Sequence, residues 1–238
     1  MRLPESLTGK GVRVAVIDSG VHPQHPHIRA DRILPGIAIL VDGTVLAGEE
    51  ATLDRLGHGT AVTAAIQEKA PDAEILPVRV FHDALKTSAR ALAAAIDRSL
   101  ELGADVINLS LGTVNPAHRQ RFTELIARAN ERGTLVVAAR EAQGQLCWPG
   151  ALDGVLGVAL DWDVPRETWR VDAGILYASG YPRPIPGVQQ RHNLHGISFA
   201  TAQASGFAAR ACEGLRAAGG DSADLLCALL QPAALTPA

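Results

Sequence analysis

The chain has 238 residues, of which 47% are apolar and 4% aromatic, with a formal net charge of −3. That is enough apolar material for one large core. The slight negative balance and scarcity of rings exclude a basic nucleic-acid surface or a base-stacking platform.

Strand and helix signals alternate along the chain. VRVAVID at 12–18 is an apolar, β-branched run of the kind buried on both faces of a sheet. GHGTAVTAAIQEKAP at 57–71 opens on glycine and small residues and reads as a short Ala-rich helix that ends before Pro71. ILPVRVF at 75–81 is a second strand, and SARALAAAIDRSLELG at 88–103 is a helix with Ser88 as N-cap and Gly103 as its stop. DVINLSLG at 105–112 is the third strand, followed by a helix over 116–133 with Pro116 in its first turn and Gly133 at its exit.

TLVVAA at 134–139 and GVLGVAL at 154–160 are further strands. The turn-rich stretch 161–195 predicts a hairpin and loops, a long Ala-rich helix begins near Ser198, and DSADLLCALL at 221–230 forms a last short helix. This alternation predicts an α/β fold with a mainly parallel central sheet and helices on both faces, as a single domain over 1–238.

No apolar run approaches the roughly 18 residues a membrane-spanning helix needs. The start, MRLPESLTGKGVRVAVIDSG, lacks the basic-then-apolar pattern of a secretory signal. Cys147, Cys212 and Cys227 are odd in number and show no C-x-x-C pairing, so they are expected as free buried thiols in a reducing compartment. The expectation is a cytoplasmic protein without cofactor, metal, membrane or nucleic-acid partner.

Three residues of catalytic type stand at element boundaries: Asp18 ends the first strand, His58 lies between glycines at a helix start, and Ser198 heads the Ala-rich helix. In open parallel sheets ligands gather beyond the carboxyl ends of strands, near helix N-termini, so the three are expected to converge. A serine hydroxyl needs a base to take its proton, histidine is that base, and a carboxylate on its other nitrogen fixes tautomer and stabilises imidazolium. The order Asp, His, Ser is that of subtilisin.

VAVIDSGVHPQHPHI, GHGTAVTAAI and HGISFATAQASGFAA resemble the Asp, His and Ser segments of the subtilisin family, and LAAAIDRSLELGADVINLSLG resembles its cleft-bordering helix and strand. The resemblance runs from about residue 7 to residue 215. It implies the three-layer subtilisin-like fold, a catalytic triad of Asp18, His58 and Ser198, and an extended peptide pairing with Ser110, Leu111 and Gly112 as an added strand. It also places Ala139, Arg140 and Glu141 beside the side chain that precedes the cleaved bond.

The sequence departs from the family around the oxyanion. The strand TLVVAA usually continues into Ala-Gly-Asn, whose Asn donates to the oxyanion; gapless alignment puts Ala142 there, next to Gln143. In subtilisin itself, removing that donor costs roughly 10²–10³ in turnover. The Thr before the nucleophile is Ile197 here. The Ser198 amide remains as a donor, and Gln143, Gln145, Asn193 and His195 are substitutes to test.

Arg140 either selects an acidic side chain or pairs with Glu141 at the surface. His22, His25 and His27 have a spacing open to metal binding, but His25-Pro26 belongs to the family pattern, and no metal is expected. Two functions follow. One is a serine endopeptidase acting on a dedicated peptide or protein, as in intracellular peptide maturation; the other is an impaired relative that holds an extended peptide as a partner or chaperone subunit.

Overall fold

The apolar run before Asp18 forms the central strand β1 (Arg13–Asp18) in the computed structural model, which describes residues 3–142 and 144–231. Successive side chains of a strand point to opposite faces. Val14 and Val16 enter one core while Ala15 and Ile17 enter the other, and all four are buried. A strand with no wet face must be apolar throughout, which is why this run does not alternate with polar residues.

Beyond β1 the chain forms β2 (Ile37–Ile39), β3 (Val45–Ala47), α1 (Glu49–Thr52) and α2 (His58–Lys69). Then come β4 (Glu74–Arg79), α3 (Ala89–Glu101), β5 (Val106–Leu109) and α4 (Arg119–Glu131). The strand β6 (Leu135–Ala139) leads into a hairpin of β7 (Glu141–Ala142) and β8 (Gln145–Leu146). β9 (Val155–Leu160), β10 (Arg170–Asp172), β11 (Ile175–Ala178), α5 (Ile197–Ala217) and α6 (Ser222–Leu230) complete the order.

Nine strands form one sheet in the order β10-β11-β9-β6-β5-β1-β4-β2-β3. Pairing is parallel from β11 through to β2, and antiparallel only where β10 and β3 close the two edges. One face packs against α2, α5 and α6 through residues such as Ile66, Phe199, Phe207 and Leu229. The other packs against α3 and α4 through Leu92, Ile96, Phe122 and Ile126. The mainly parallel three-layer α/β architecture expected from the sequence is the one observed.

The sequence signals for the helix ends correspond to structure. The Ser88 side chain accepts from the Ala91 amide and caps α3, and Gly103 and Gly133 adopt positive φ at the exits of α3 and α4. Pro116 opens a short 3₁₀ turn that leads into α4. Two features differ from expectation. The strands β2 and β3 extend the sheet beyond β4 in a segment with no clear strand pattern, because only three residues of each pair and β3 is exposed. Cys227 is exposed, whereas Cys147 and Cys212 are buried; all three are free thiols. No helix among the described residues is long and apolar enough to cross a membrane.

The order of strands places the functional end of the sheet. From β1 the chain runs out to β2 and β3 at one edge and returns to β4 beside β1, then crosses over to β5 on the other side and continues to β6 and β9. The crevice beyond the carboxyl ends of β1 and β5 is therefore the switch point at which ligands of open α/β sheets bind. Phe122 is fully buried in the layer between α4 and the sheet. Phe122→Ala is expected to cost about 3–5 kcal/mol, read as a lower urea midpoint with an unchanged slope.

Candidate active site

Asp18 is the last residue of β1 and is completely buried. Its Oδ1 accepts from the Ser19 amide at 2.8 Å and lies 2.7 Å from His58 Nδ1. His58 is the first residue of α2, behind Gly57 in the left-handed region at φ 79°. A Cβ on Gly59 would collide with the Gly20 carbonyl oxygen, so only glycine lets the start of α2 approach the end of β1 this closely. The carboxylate on Nδ1 leaves Nε2 to act as the base.

Burial works to lower the His58 pKa, but the hydrogen bond and charge of Asp18, helped by the charge of Asp54, outweigh it, and the net shift is upward. The imidazolium is thus stabilised by the site, as a general base that must hold a proton requires.

Ser198 stands in the first turn of α5, after Gly196 at φ 142°. The Gly196 amide donates to the Gly180 carbonyl and anchors the helix start to the chain beyond β11. The Ser198 carbonyl accepts from the Ser110 hydroxyl at 3.2 Å, and the Ser198 hydroxyl donates back to the Ser110 carbonyl at 3.4 Å. The Phe199 ring lies 5.8 Å from the His58 ring, centroid to centroid, which brings the nucleophile's neighbour against the base. Among the described residues the resting hydroxyl is hydrogen-bonded to β5's exit rather than to His58. Catalytic hydrogen bonds are often long or misaligned before substrate binds.

Two buried polar groups that sequence reasoning missed hold these parts. Asp54 accepts five hydrogen bonds: from the Ser19 hydroxyl, the Leu56, Gly57 and Thr60 amides, and the Thr60 hydroxyl, at 2.6–2.9 Å. Burial alone would raise the Asp54 pKa, but the Thr60 hydroxyl and amide, the Leu56 amide and the Ser19 hydroxyl hold the carboxyl below its usual value. The Ser19 hydroxyl in turn accepts from the Gly59 amide at 2.8 Å. Asn108, fully buried in β5, donates to the Ser110 hydroxyl and accepts from Ser205 of α5 at 2.9 Å. The signal for Asp54 was the spacing Asp-x-x-Gly-His-Gly-Thr, an acid set to cap the helix that carries His58.

The remaining candidates fall as follows. Ser110 and Leu111 are half-buried, Gly112 is exposed, and Leu111 and Gly112 lie beyond the end of β5. The next residue, Thr113, exchanges two backbone hydrogen bonds with Trp148, which closes the edge there. Ala139 is buried at the end of β6, Arg140 is half-buried, and Glu141 is exposed. Among the described residues Arg140 and Glu141 form no ion pair, so the surface pair weighed from the sequence is not made; the neighbouring side chains of a strand diverge.

Ala142 sits exposed on the β7–β8 hairpin and brings no side-chain donor, and Gln143 lies outside the described residues. Of the substitutes, Asn193 commits its amide to the Arg183 carbonyl, and Gln145 and His195 are exposed. The Ser198 amide, in a helix's first turn, belongs to the N–H groups left free by helix geometry. No group of three or more His, Cys, Asp or Glu able to hold a metal occurs among the described residues. The Cys147 thiol is pushed up by burial and by the Glu141 charge, and burial pushes Cys212 up to about 11, so neither thiol is activated.

A model of the subtilase family matches residues 9–159. The alkaline protease of Alkalihalobacillus alcalophilus is 29% identical over 223 residues, covering 85% of this chain and 54% of that protein. Subtilisin Savinase of Lederbergia lenta is 29% identical over 223 residues, covering 85% of this chain and 77% of that protein. The chain thus spans about half the length of the first relative. Among solved structures, the prenylagaramide maturation protease PagA is 28% identical with a TM-score of 0.70, covering 98% of this chain and 87% of that one. The protease domain of PatA is 25% identical with a TM-score of 0.69, covering 94% and 88%.

Two predictions follow from the geometry. The His58 imidazole should titrate above the ordinary value of 6.5 in NMR spectra, and Asp18→Asn should move it downward. Since the folded pKa is raised, the Asp18–His58 pair contributes its full stability below the unfolded pKa and loses it as pH rises through the folded one. Asp54→Ala should cost about 3 kcal/mol, because buried donors lose their acceptor; urea denaturation reads that loss.

Proposed function

Because this chain belongs to the subtilase family, we propose that it is a serine endopeptidase that forms an acyl-enzyme on Ser198 and cleaves a dedicated peptide or protein. The observation that carries this reading is the buried Asp18 carboxylate 2.7 Å from His58, on a fold that sets Ser198 at the adjoining helix start. In the proposed cycle the Ser198 hydroxyl turns from the Ser110 carbonyl toward His58 Nε2, loses its proton there and attacks the substrate carbonyl. His58 then gives the proton to the leaving amine as the C–N bond breaks, and water releases the acyl group.

Leu111 and Gly112 supply unladdered backbone at the cleft for an extended substrate. A cavity of about 410 Å³ beside them, lined by Phe81, Leu85, Leu92 and Leu111 together with Lys86 and Asn115 among others, offers a seat of mixed polarity for one of its side chains. One structural neighbour, PagA, is named as a maturation protease, and it supports peptide maturation as the setting. Arg140, half-buried at the end of β6 and without a carboxylate partner among the described residues, is the group we assign to selecting the side chain before the cleaved bond.

One observation favours the second reading, a protein that binds an extended peptide without useful turnover: the exposed Ala142 supplies no oxyanion donor where the family has Asn. The Ser198 amide then carries the charge with less help, and turnover roughly 10²–10³ below that of the secreted relatives is expected. A fluorophosphonate probe separates the two. The peptidase reading expects covalent labelling of Ser198 that His58→Ala abolishes; no labelling, with or without a natural substrate, overturns it. Ser198→Ala should remove turnover and leave peptide binding intact, and unchanged turnover would refute the nucleophile. The pH profile of kcat/KM should rise through a pKa above 6.5, since only neutral His58 takes the proton.

A further inference from the structure

The triad and the cleft beside Leu111 leave a second cavity without a role. It has a volume of about 300 Å³ and is walled by the loop after β1, the start of α2 and the loop that leads to α5. It shares no lining residue with the larger cavity beside Leu111. Each of its three walls adjoins a triad member along the chain: His22 lies four residues beyond Asp18, Gly57 directly precedes His58, and Leu194 lies four residues before Ser198.

Its lining combines apolar surface with two guanidinium groups that form no ion pair among the described residues. Ala61, Ile185 and Leu194 give the apolar part, and Ile185 and Leu194 are large apolar side chains left exposed to solvent. Arg55 is exposed and forms no ion pair among the described residues. Arg183 donates one hydrogen bond to the His27 carbonyl at 3.0 Å and likewise forms no ion pair among them. Asp54 is the acidic lining residue, and its oxygens are already taken by five donors. The nearby Glu68 is committed to Lys69 and Arg166. The cavity also holds His22, His25 and His27. Burial first, and then the charges of Arg183 and His25, lower the His27 pKa against the opposing pull of Glu68.

A cavity of this size fits a single side chain with an aliphatic stem and an anionic end. We propose that it is an anchoring subsite for a glutamate side chain of the peptide substrate. The stem lies along Ala61, Ile185 and Leu194, and the carboxylate is received by Arg183 and Arg55. Guanidinium groups without a carboxylate partner among the described residues are suited to this, because their planar donors match a carboxylate. The assignment rests on the peptidase reading and deepens it by naming one feature of the substrate.

The test uses the full chain carrying Ser198→Ala, so that bound peptides persist, on an array of random dodecapeptides. Bound sequences should be enriched in Glu at one position, and replacing that Glu by Gln should weaken binding roughly tenfold or more. Arg183→Gln and Arg55→Gln should each reduce that discrimination, and Arg183→Glu should turn the preference toward Lys. Arg55 is exposed, so its variant keeps the fold if the Arg183 variants do not. No Glu enrichment, or the same enrichment in Arg55→Gln and Arg183→Gln, overturns the subsite. Fluorophosphonate labelling of the wild-type Ser198 is scored separately: labelling without Glu selection rejects the subsite alone, and Glu selection without labelling rejects the peptidase alone.

Discussion

The active end of this molecule depends on one buried carboxylate that does no chemistry. Asp54 receives five hydrogen bonds and so joins the turn after β1, the loop before α2 and the first turn of α2 into one unit. A buried charge is tolerable only when donors replace the lost water, and here they are two hydroxyls and three backbone amides, of which those of Gly57 and Thr60 belong to the helix start that would otherwise leave them without partners. The same contacts that solvate Asp54 therefore fix Gly57 and Thr60 on either side of His58. Its negative charge also helps keep a proton on the imidazole once it has arrived.

Around that hub the labour is divided between opposite sides of the sheet's switch point. The end of β1 and the start of α2 orient His58, while the exit of β5 and the start of α5 hold Ser198 through Asn108, Ser110 and Ser205. The first half is held by several short hydrogen bonds through Asp18 Oδ1, Ser19 and Asp54, while Asp18 Oδ2 is buried without a partner among the described residues. The second leaves the Ser198 hydroxyl on a long 3.4 Å bond to a carbonyl, from which it can turn at little cost. Rigid base and mobile nucleophile are a workable pairing, since a serine side chain has one rotor and an imidazole must hold one orientation.

The electrostatics are uneven. Positive charge on His58 is favoured by Asp18 and Asp54, whereas on the side where negative charge would develop the Ser198 amide is the donor found among the described residues. A site built this way gains from binding energy supplied by remote parts of the substrate. The cleft beside Leu111 and the cationic cavity beside His27 are two places from which it would come. An enzyme of modest intrinsic rate with demanding subsites would act on a dedicated substrate and spare others, which fits the proposed role.

The sequence alone determined the fold class and pointed to Asp18, His58 and Ser198 as the proposed triad, because both rest on local chemistry. Buried parallel strands must be continuous apolar runs, as VRVAVID is, and the triad's segments carry glycines and small residues that close backbone approach demands at Gly20 and Gly59. It also showed that Ala142 brings no donor. The short strands β2 and β3 escaped notice because they pair with each other over three residues, and β2 joins the sheet through a two-residue pairing with β4, rather than through any pattern of their own. Asp54, Asn108 and Ser205 escaped because one buried polar residue looks like any surface one until its donors, up to 97 residues away, are brought to it. Tertiary structure alone decided that Cys227 is exposed, that Arg140 and Glu141 do not pair, and that Arg55 and Arg183 meet at one cavity. Charge pairing and cavity walls depend on distances between segments remote in sequence, and those distances exist only once the core has packed.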